Sequence, residues 1–327
     1  MANRIRKINT STRSTVHVVI LSDLVPGARI QGIDVSTNGT IYAADYAKQI
    51  VYKIYEHGKV NGALVGKINV AGDVDASGRQ GSDGNTARLD HPLGICVDKS
   101  DNIYVGSGYG MVIRRVSPSG RSRVFAGKYA TPGDVVAGMD DNVTDGSKAR
   151  FGNPGSLACM GLDVDKAGRV YVADTANNKV KKLWESGKST RLAGSTAGFV
   201  NAIGPNAKFN LPYDLCVDNQ GNVYVADANN NRIRKVTESG VVTTLAGTTA
   251  GFVDGNGLTS KFTSPRRVEI DDGNQFLYVL DYGNAAIRRV DMHGNVHTFM
   301  PYNVPPVGCG DIAVDRSGFL YVLENDS

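Results

Sequence analysis

The sequence lacks most of what would advertise a membrane protein, a metalloenzyme or a disulfide scaffold. No apolar run approaches the roughly 20 residues of a membrane-spanning helix, and Val16–Leu21 is too short for the core of a secretory leader. Histidine is scarce, with only His17, His57, His91, His293 and His297, and only His91 precedes an expected inner strand, so no axial histidine cluster is expected. The four cysteines, Cys96, Cys159, Cys216 and Cys309, show neither close pairing nor metal-type spacing, so they read as small packing residues. A formal net charge of +4 is too small on 327 residues to argue for nucleic acid by itself.

Glycine is abundant instead, with 39 residues, as a chain of many tight turns requires. Those turns punctuate a repeat: apolar-x-Val-Asp, a turn, apolar-Tyr-apolar, an acid, a second turn, then apolar-basic-basic-apolar. Its tyrosines are Tyr42, Tyr104, Tyr171, Tyr224, Tyr278 and Tyr321. Each run alternates over four to six positions, which is strand periodicity. A further strand follows each copy, for example at Arg123–Ala126, Thr190–Ala193 and Val241–Ala246. The last copy begins Ile312-Ala-Val-Asp315 and is completed by Ile5 and Ile8 from the other end of the chain. Four strands repeated six times predict an all-β, six-bladed β-propeller. Its sixth blade is closed by two N-terminal and two C-terminal strands (1–21 with 307–327), in one domain over 1–327.

Three segments carry a family resemblance: Leu211-Pro-Tyr-Asp-Leu-Cys-Val-Asp218, Gly221-Asn-Val-Tyr-Val-Ala-Asp227 and Asn231-Arg-Ile-Arg-Lys-Val236. Here the chain resembles the NHL-repeat propellers, with weaker copies along the whole length. The resemblance implies the fold. It leaves activity open, because such propellers include binding modules, scaffolds and enzymes.

In an up-and-down blade, the turn between strands two and three and the blade-to-blade connection leave on the same face. The connections are long after blades one to four (about 59–91, 128–157, 195–211 and 248–264) and short after the last two. Long loops on a rigid scaffold concentrate function, so this face is the expected site. The shared elements Ala87-Arg-Leu, Ala149-Arg-Phe, Ala207-Lys-Phe and Ser260-Lys-Phe read as blade caps, leaving loops 70–84 and 129–145 without an assigned role. The Asp-Gly pairs at Ser82–Asn85, Thr144–Ser147 and Val253–Gly257 lack a complete calcium loop and read as turns.

Charge recurs in register. Asp45, Ser107, Asp174, Asp227, Asp281 and Glu324 end the second strands, and Lys53, Arg115, Lys182, Lys235, Arg289 and Lys7 take the penultimate position of the third. One residue earlier stand Tyr52, Arg114, Lys181, Arg234, Arg288 and Arg6. The acids and the penultimate bases are expected to form a structural ion-pair ladder. On the inner strands, Asp214, Arg267 and Asp311 replace glycine at a channel mouth, a candidate ligand site. Asp34, Asp163 and Glu269 line the channel behind it, alternating with the small residues Cys96, Cys216 and Ala313. A water-filled channel neutralised by Arg267 accounts for this pattern. A channel-bound cation such as calcium is compatible with it, while no resident cofactor or metal is expected.

The expected function is a non-enzymatic binding or scaffold propeller that meets a protein or glycan through the long-loop face, as part of a larger assembly. A bacteriophage particle is one setting, and the expected location is cytoplasmic or virion-associated, without a membrane. The alternative is a metal-dependent lactonase- or lyase-like enzyme working from the axial acids. RNA binding is the third reading. It is disfavoured by near-equal acids and bases and by the lack of a visible aromatic platform.

Overall fold

A computed structural model of the chain describes residues 3–20, 27–55, 60–65, 89, 91–107, 112–120, 122–127, 142–143, 149, 151–152, 161–186, 188–301 and 310–325. Loop 70–84, the turns at Ser82–Asn85 and Thr144–Ser147, Cys159 and Cys309 lie outside these residues, as does all of loop 129–145 except 142–143. No helix among the described residues is long and apolar enough to cross a membrane.

Six antiparallel sheets form the blades. Blade one comprises Ile30–Val35, Ile41–Asp45, Ile50–Ile54 and Val60–Val65. Blade two comprises Pro92–Val97, Ile103–Ser107, Val112–Val116 and Ser122–Gly127. Blade three comprises Leu162–Val164, Val170–Asp174, Lys179–Leu183 and Ser189–Gly194. Blade four comprises Pro212–Val217, Val223–Asp227, Arg232–Val236 and Val242–Ala246. Blade five comprises Pro265–Ile270, Phe276–Asp281, Ala286–Asp291 and Val296–Pro301. Blade six joins Asp311–Val314 and Phe319–Asn325 to Asn3–Asn9 and Thr15–Ile20. The seam is a continuous register from Asn3↔Asn325 to Asn9↔Phe319. The six-bladed expectation, with its two-plus-two closure, is what the structure shows.

The blades are held by six apolar clusters, one at each junction. Second strands are buried on both faces, and the period of two assigns each face to a different neighbour. Tyr42 and Ala44 face blade two, whereas Ile41 and Ala43 face blade six. The repeated tyrosine is therefore the wedge of each junction. In four of the six copies its hydroxyl donates to the aspartate just after the first strand, as in Tyr224 to Asp218 (3.1 Å) and Tyr321 to Asp315 (3.0 Å). That pairing lets a large ring be buried without stranding its polar tip.

The described connections are edge covers. Asn142–Val143 pairs with the outer strand of blade three at Thr190 and Ser189. Ile203 bridges Val241 beside the outer strand of blade four, and Gly255 bridges Val296 of blade five. Each connection thus occupies an edge that would otherwise remain open for pairing with another chain. It then returns to bury Ala149 and Phe151, Ala207 and Phe209, or Ser260 and Phe262.

Candidate functional site

Four acids at the inner strands act across blade junctions. Asp34 of blade one accepts the Val97 N–H of blade two (2.7 Å), and Asp163 of blade three accepts the Val217 N–H of blade four (2.7 Å). Asp214 accepts the Val268 N–H (3.1 Å), and Asp311 accepts the Ile33 N–H (2.8 Å) across the seam. Each carboxylate clips its own inner strand to the next.

The channel is asymmetric. Asp34, Asp163 and Glu269 line a cavity of about 170 Å³ that opens between the turns joining first and second strands, where Asp98, Lys99, Asp165, Lys166, Asp218 and Arg316 stand. Towards the long loops it narrows to about 10 Å³ between Gly94, Gly161, Asp214, Arg267, Glu269 and Asp311. That is room for one water at most. The expected mouth is therefore a constriction. Arg267 Nε lies 2.7 Å from Asp311 Oδ1, and its Nη2 donates to the Gln31 carbonyl (3.4 Å). Gly161 is obligatory here, since a Cβ at that position would lie 2.1 Å from Asp214 Oδ1.

Burial dominates the titration of these acids. It pushes Asp34 up to about 8, aided by the charges of Asp163 and Asp311 and opposed by its two backbone N–H donors. It raises Asp163 and Asp214 to about 7, with Arg267 opposing the shift at Asp214. Glu269 is pushed well above the carboxylate range by burial and then by the neighbouring acids. Burial and the same acids push the free thiols of Cys96 and Cys216 up, which makes them packing residues rather than nucleophiles. Among the described residues no group of His, Cys, Asp and Glu is arranged to hold a metal ion. Glu269 and Asp163 face the cavity without forming such a site.

The charge ladder differs from the expectation in its basic members. Asp227 is met by Arg234 (2.7 Å), Asp281 by Arg288 (2.8 Å), Asp174 by Lys181 (3.1 Å), and Glu324 by Arg6. In blade one the Tyr52 hydroxyl donates to Asp45 (3.4 Å). Strand alternation is the reason. The register pairs Tyr224 with Lys235 and Val225 with Arg234, so the acid at 227 shares a face with Arg234 and not with Lys235. The penultimate bases Lys7, Lys53, Lys182 and Lys235 lie instead against the repeat tyrosines, and Arg289 lies against Phe276. Arg115 pairs with Glu185 (2.7 Å).

These acid–base pairs anchor the connections. Asp227 accepts the Asn210 N–H (2.7 Å) and the Asn230 amide (2.8 Å). Arg234 donates to the carbonyls of Lys208 (3.2 Å) and Val200 (3.1 Å) and to Asn201 (2.6 Å), between the rings of Phe199 and Phe209. Arg288 repeats the arrangement with Lys261, Val253, Asp254, Phe252 and Phe262. Asp254, of the Val253–Gly257 turn, is thereby engaged by Arg288 and Thr298.

The long-loop face carries side chains that the sequence reading passed over. Tyr46 packs on His91 (4.7 Å between centroids), with Arg29 over its ring at 5.3 Å. Arg266 lies 3.6 Å from the Tyr282 centroid and 5.2 Å from that of Tyr213. The available signal was positional: His91, Tyr213 and Arg266 flank the prolines opening three inner strands, while Tyr46 and Tyr282 follow the anchoring acids.

Comparison with known proteins agrees with this architecture. A family profile for the NHL repeat matches residues 209–236, the fourth copy. Human NHL repeat-containing protein 2 is 29% identical over 167 residues, covering 47% of this chain and 23% of that protein. Mouse Teneurin-4 is 27% identical over 287 residues, covering 77% of this chain and 10% of that protein. The chain is a six-bladed β-propeller that carries an NHL repeat at residues 209–236, and it spans a quarter or less of the length of these relatives. Among solved structures, virginiamycin B lyase from Staphylococcus aureus matches at a TM-score of 0.54 with 12% identity, covering 99% of each chain. A chain of the nidogen/laminin complex matches at 0.56 with 15% identity, covering 91% of this chain and 94% of that one. At such identities the likeness is one of fold.

Proposed function

We propose that the ring acts as one recognition unit, a non-enzymatic propeller that engages a protein or glycan partner through its long-loop face within a larger assembly. The observation that carries this reading is the pairing of partly exposed tyrosine–arginine stacks on that face with a constricted channel end beneath them. Aromatic rings and arginine are the side chains that most often anchor recognition surfaces. The fold relationship to the nidogen/laminin complex and the similarity to teneurins are consistent with a recognition role. The virion setting belongs to the same proposal and draws its support from the Asn-, Gly- and Thr-rich loops alone.

The test is ligand capture, by glycan array and by affinity capture with identification of the bound protein, using the intact chain. Tyr213→Ala/Tyr282→Ala should abolish capture, and Lys99→Ala/Lys166→Ala on the opposite face should leave it intact. The reverse pattern would overturn the reading. The enzymatic rival, which shares its fold with the lyase and with a gluconolactonase from Xanthomonas campestris, would work from the axial cavity. It predicts a stoichiometric divalent ion in purified protein that is lost on Asp163→Ala.

A further inference from the structure

Arg266 and Arg267 are sequence neighbours with opposite fates. A bulge between Pro265 and Arg267 leaves Arg266 out of the register with the second strand, while Arg267 is engaged by Asp311 and the Gln31 carbonyl. Arg266 is turned to the long-loop face and lies against Tyr282 and Tyr213. Among the described residues its guanidinium makes no hydrogen bond or ion pair, although ten neighbouring or repeat-related interactions of Arg234, Arg267 and Arg288 are all to oxygen acceptors. A guanidinium always carries its charge, and stacking occupies its faces while leaving its N–H edges directed outward. Two parallel N–H donors in a fixed plane match the two oxygens of a carboxylate. The stacking rings also hold the side chain in place before a ligand arrives, which reduces the entropy lost on binding.

The surroundings suit a sugar better than a peptide. Peptides dock on open sheet edges, in apolar grooves or, through acidic motifs, on clusters of arginines; here the outer edges of blades three to five are covered by the connections, and the adjacent Arg267 is already paired with Asp311. What borders Arg266 is instead a pair of tyrosines, Tyr282 and Tyr213. Aromatic faces meet the C–H surface of a pyranose, and a tyrosine hydroxyl can bond to a sugar hydroxyl. We propose that Arg266, framed by Tyr213 and Tyr282, binds the carboxylate of an acidic sugar residue, a uronic or sialic acid. This rests on the recognition reading above and names its ligand.

Titration calorimetry of the intact chain against glucuronate, sialic acid, glucose and a glutamate-rich peptide tests it. An acidic sugar should bind at least about tenfold more tightly than glucose, since charge-assisted hydrogen bonds are the strong ones. Arg266→Met should reduce that affinity by about tenfold to a hundredfold, and Arg266→Lys should recover only part of it, because an ammonium lacks the planar fork. Both variants should keep the melting temperature of the parent. Equal binding of glucose and glucuronate, or an Arg266-dependent preference for the peptide over every sugar, would overturn the assignment. If no acidic sugar binds while Tyr213→Ala/Tyr282→Ala still abolishes partner capture, the sugar assignment fails and the recognition face stands.

Discussion

Replacing Arg234 by methionine separates the observed anchor from the ladder that the sequence suggests. Both partners of the Arg234–Asp227 pair are fully buried at the side-chain level. Removing the cation leaves Asp227 with the Asn210 N–H and the Asn230 amide as its remaining donors. It also releases the Val200 and Lys208 carbonyls and Asn201 from their shared donor. Breaking one side of a buried pair costs about 3–5 kcal/mol. With an unfolding entropy of about 2.1 cal/mol/K per residue, a chain of 327 residues loses about 4–7 °C in Tm. Lys235→Met, at the neighbouring position, removes only a contact over the Tyr224 ring at 5.6 Å. It should cost about 1 kcal/mol or less. Asp227→Asn/Arg234→Met should be less destabilised than the sum of its single changes, because asparagine can still accept the Asn210 N–H without stranding a charge. Thermal and urea unfolding at unchanged m-value provide the readout. A Lys235→Met variant as damaged as Arg234→Met, or strict additivity in the cycle, would refute the reasoning.

Deleting Met1–Ile8 removes most of the third strand of blade six and should lower the melting temperature sharply or prevent folding; a chain that melts as before would show that the seam contributes nothing. Gly161→Ala should be strongly destabilising because its methyl would enter the Asp214 side chain, whereas Gly273→Ala, where a Cβ would come no nearer than 3.6 Å to the Gln275 side chain, serves as the comparison expected to be mild. Asp34, Asp163 and Asp214 have raised folded-state values, so between pH about 4 and 8 the native state binds more protons than the unfolded one. Their contribution is full below pH 4 and is lost as pH rises through 7 to 8. Denaturation between pH 6 and 9 should show stability falling with pH, with a shallower slope in Asp34→Asn; an unchanged slope in that variant would contradict the role of the buried acid.

The repeat made the fold legible because its alternating runs, its turn residues and its divided last copy all required a closed ring. The second-strand tyrosines and the acids following them were visible as a pattern, yet their partners were not. Choosing between Arg234 and Lys235 takes the register with Tyr224 and Val225, one residue's difference that composition does not record. The channel carboxylates were placed on the correct strands, but their bonds to Val97, Val217, Val268 and Ile33 cross blade junctions and have no signature within one copy. The stack of Arg266 on Tyr282 and Tyr213 joins two blades in the same way. Contacts between copies are what a reading of single copies leaves out.

The edge covers have a consequence for synthesis on the ribosome. In blades three, four and five the covering segment precedes its blade in the chain, so it emerges before the strand it shields. Asn142–Val143 is made ahead of Ser189–Gly194, Ile203 ahead of Val242–Ala246, and Gly255 ahead of Val296–Pro301. A partly made chain therefore carries each shield in advance, like roof tiles laid so that every course overlaps the next. An outer strand of these blades can be paired as it appears, rather than waiting exposed to neighbouring nascent chains. Blade six follows the opposite rule: its outer half, Asn3–Asn9 and Thr15–Ile20, is made before the five other blades and waits for Asp311–Val314 and Phe319–Asn325.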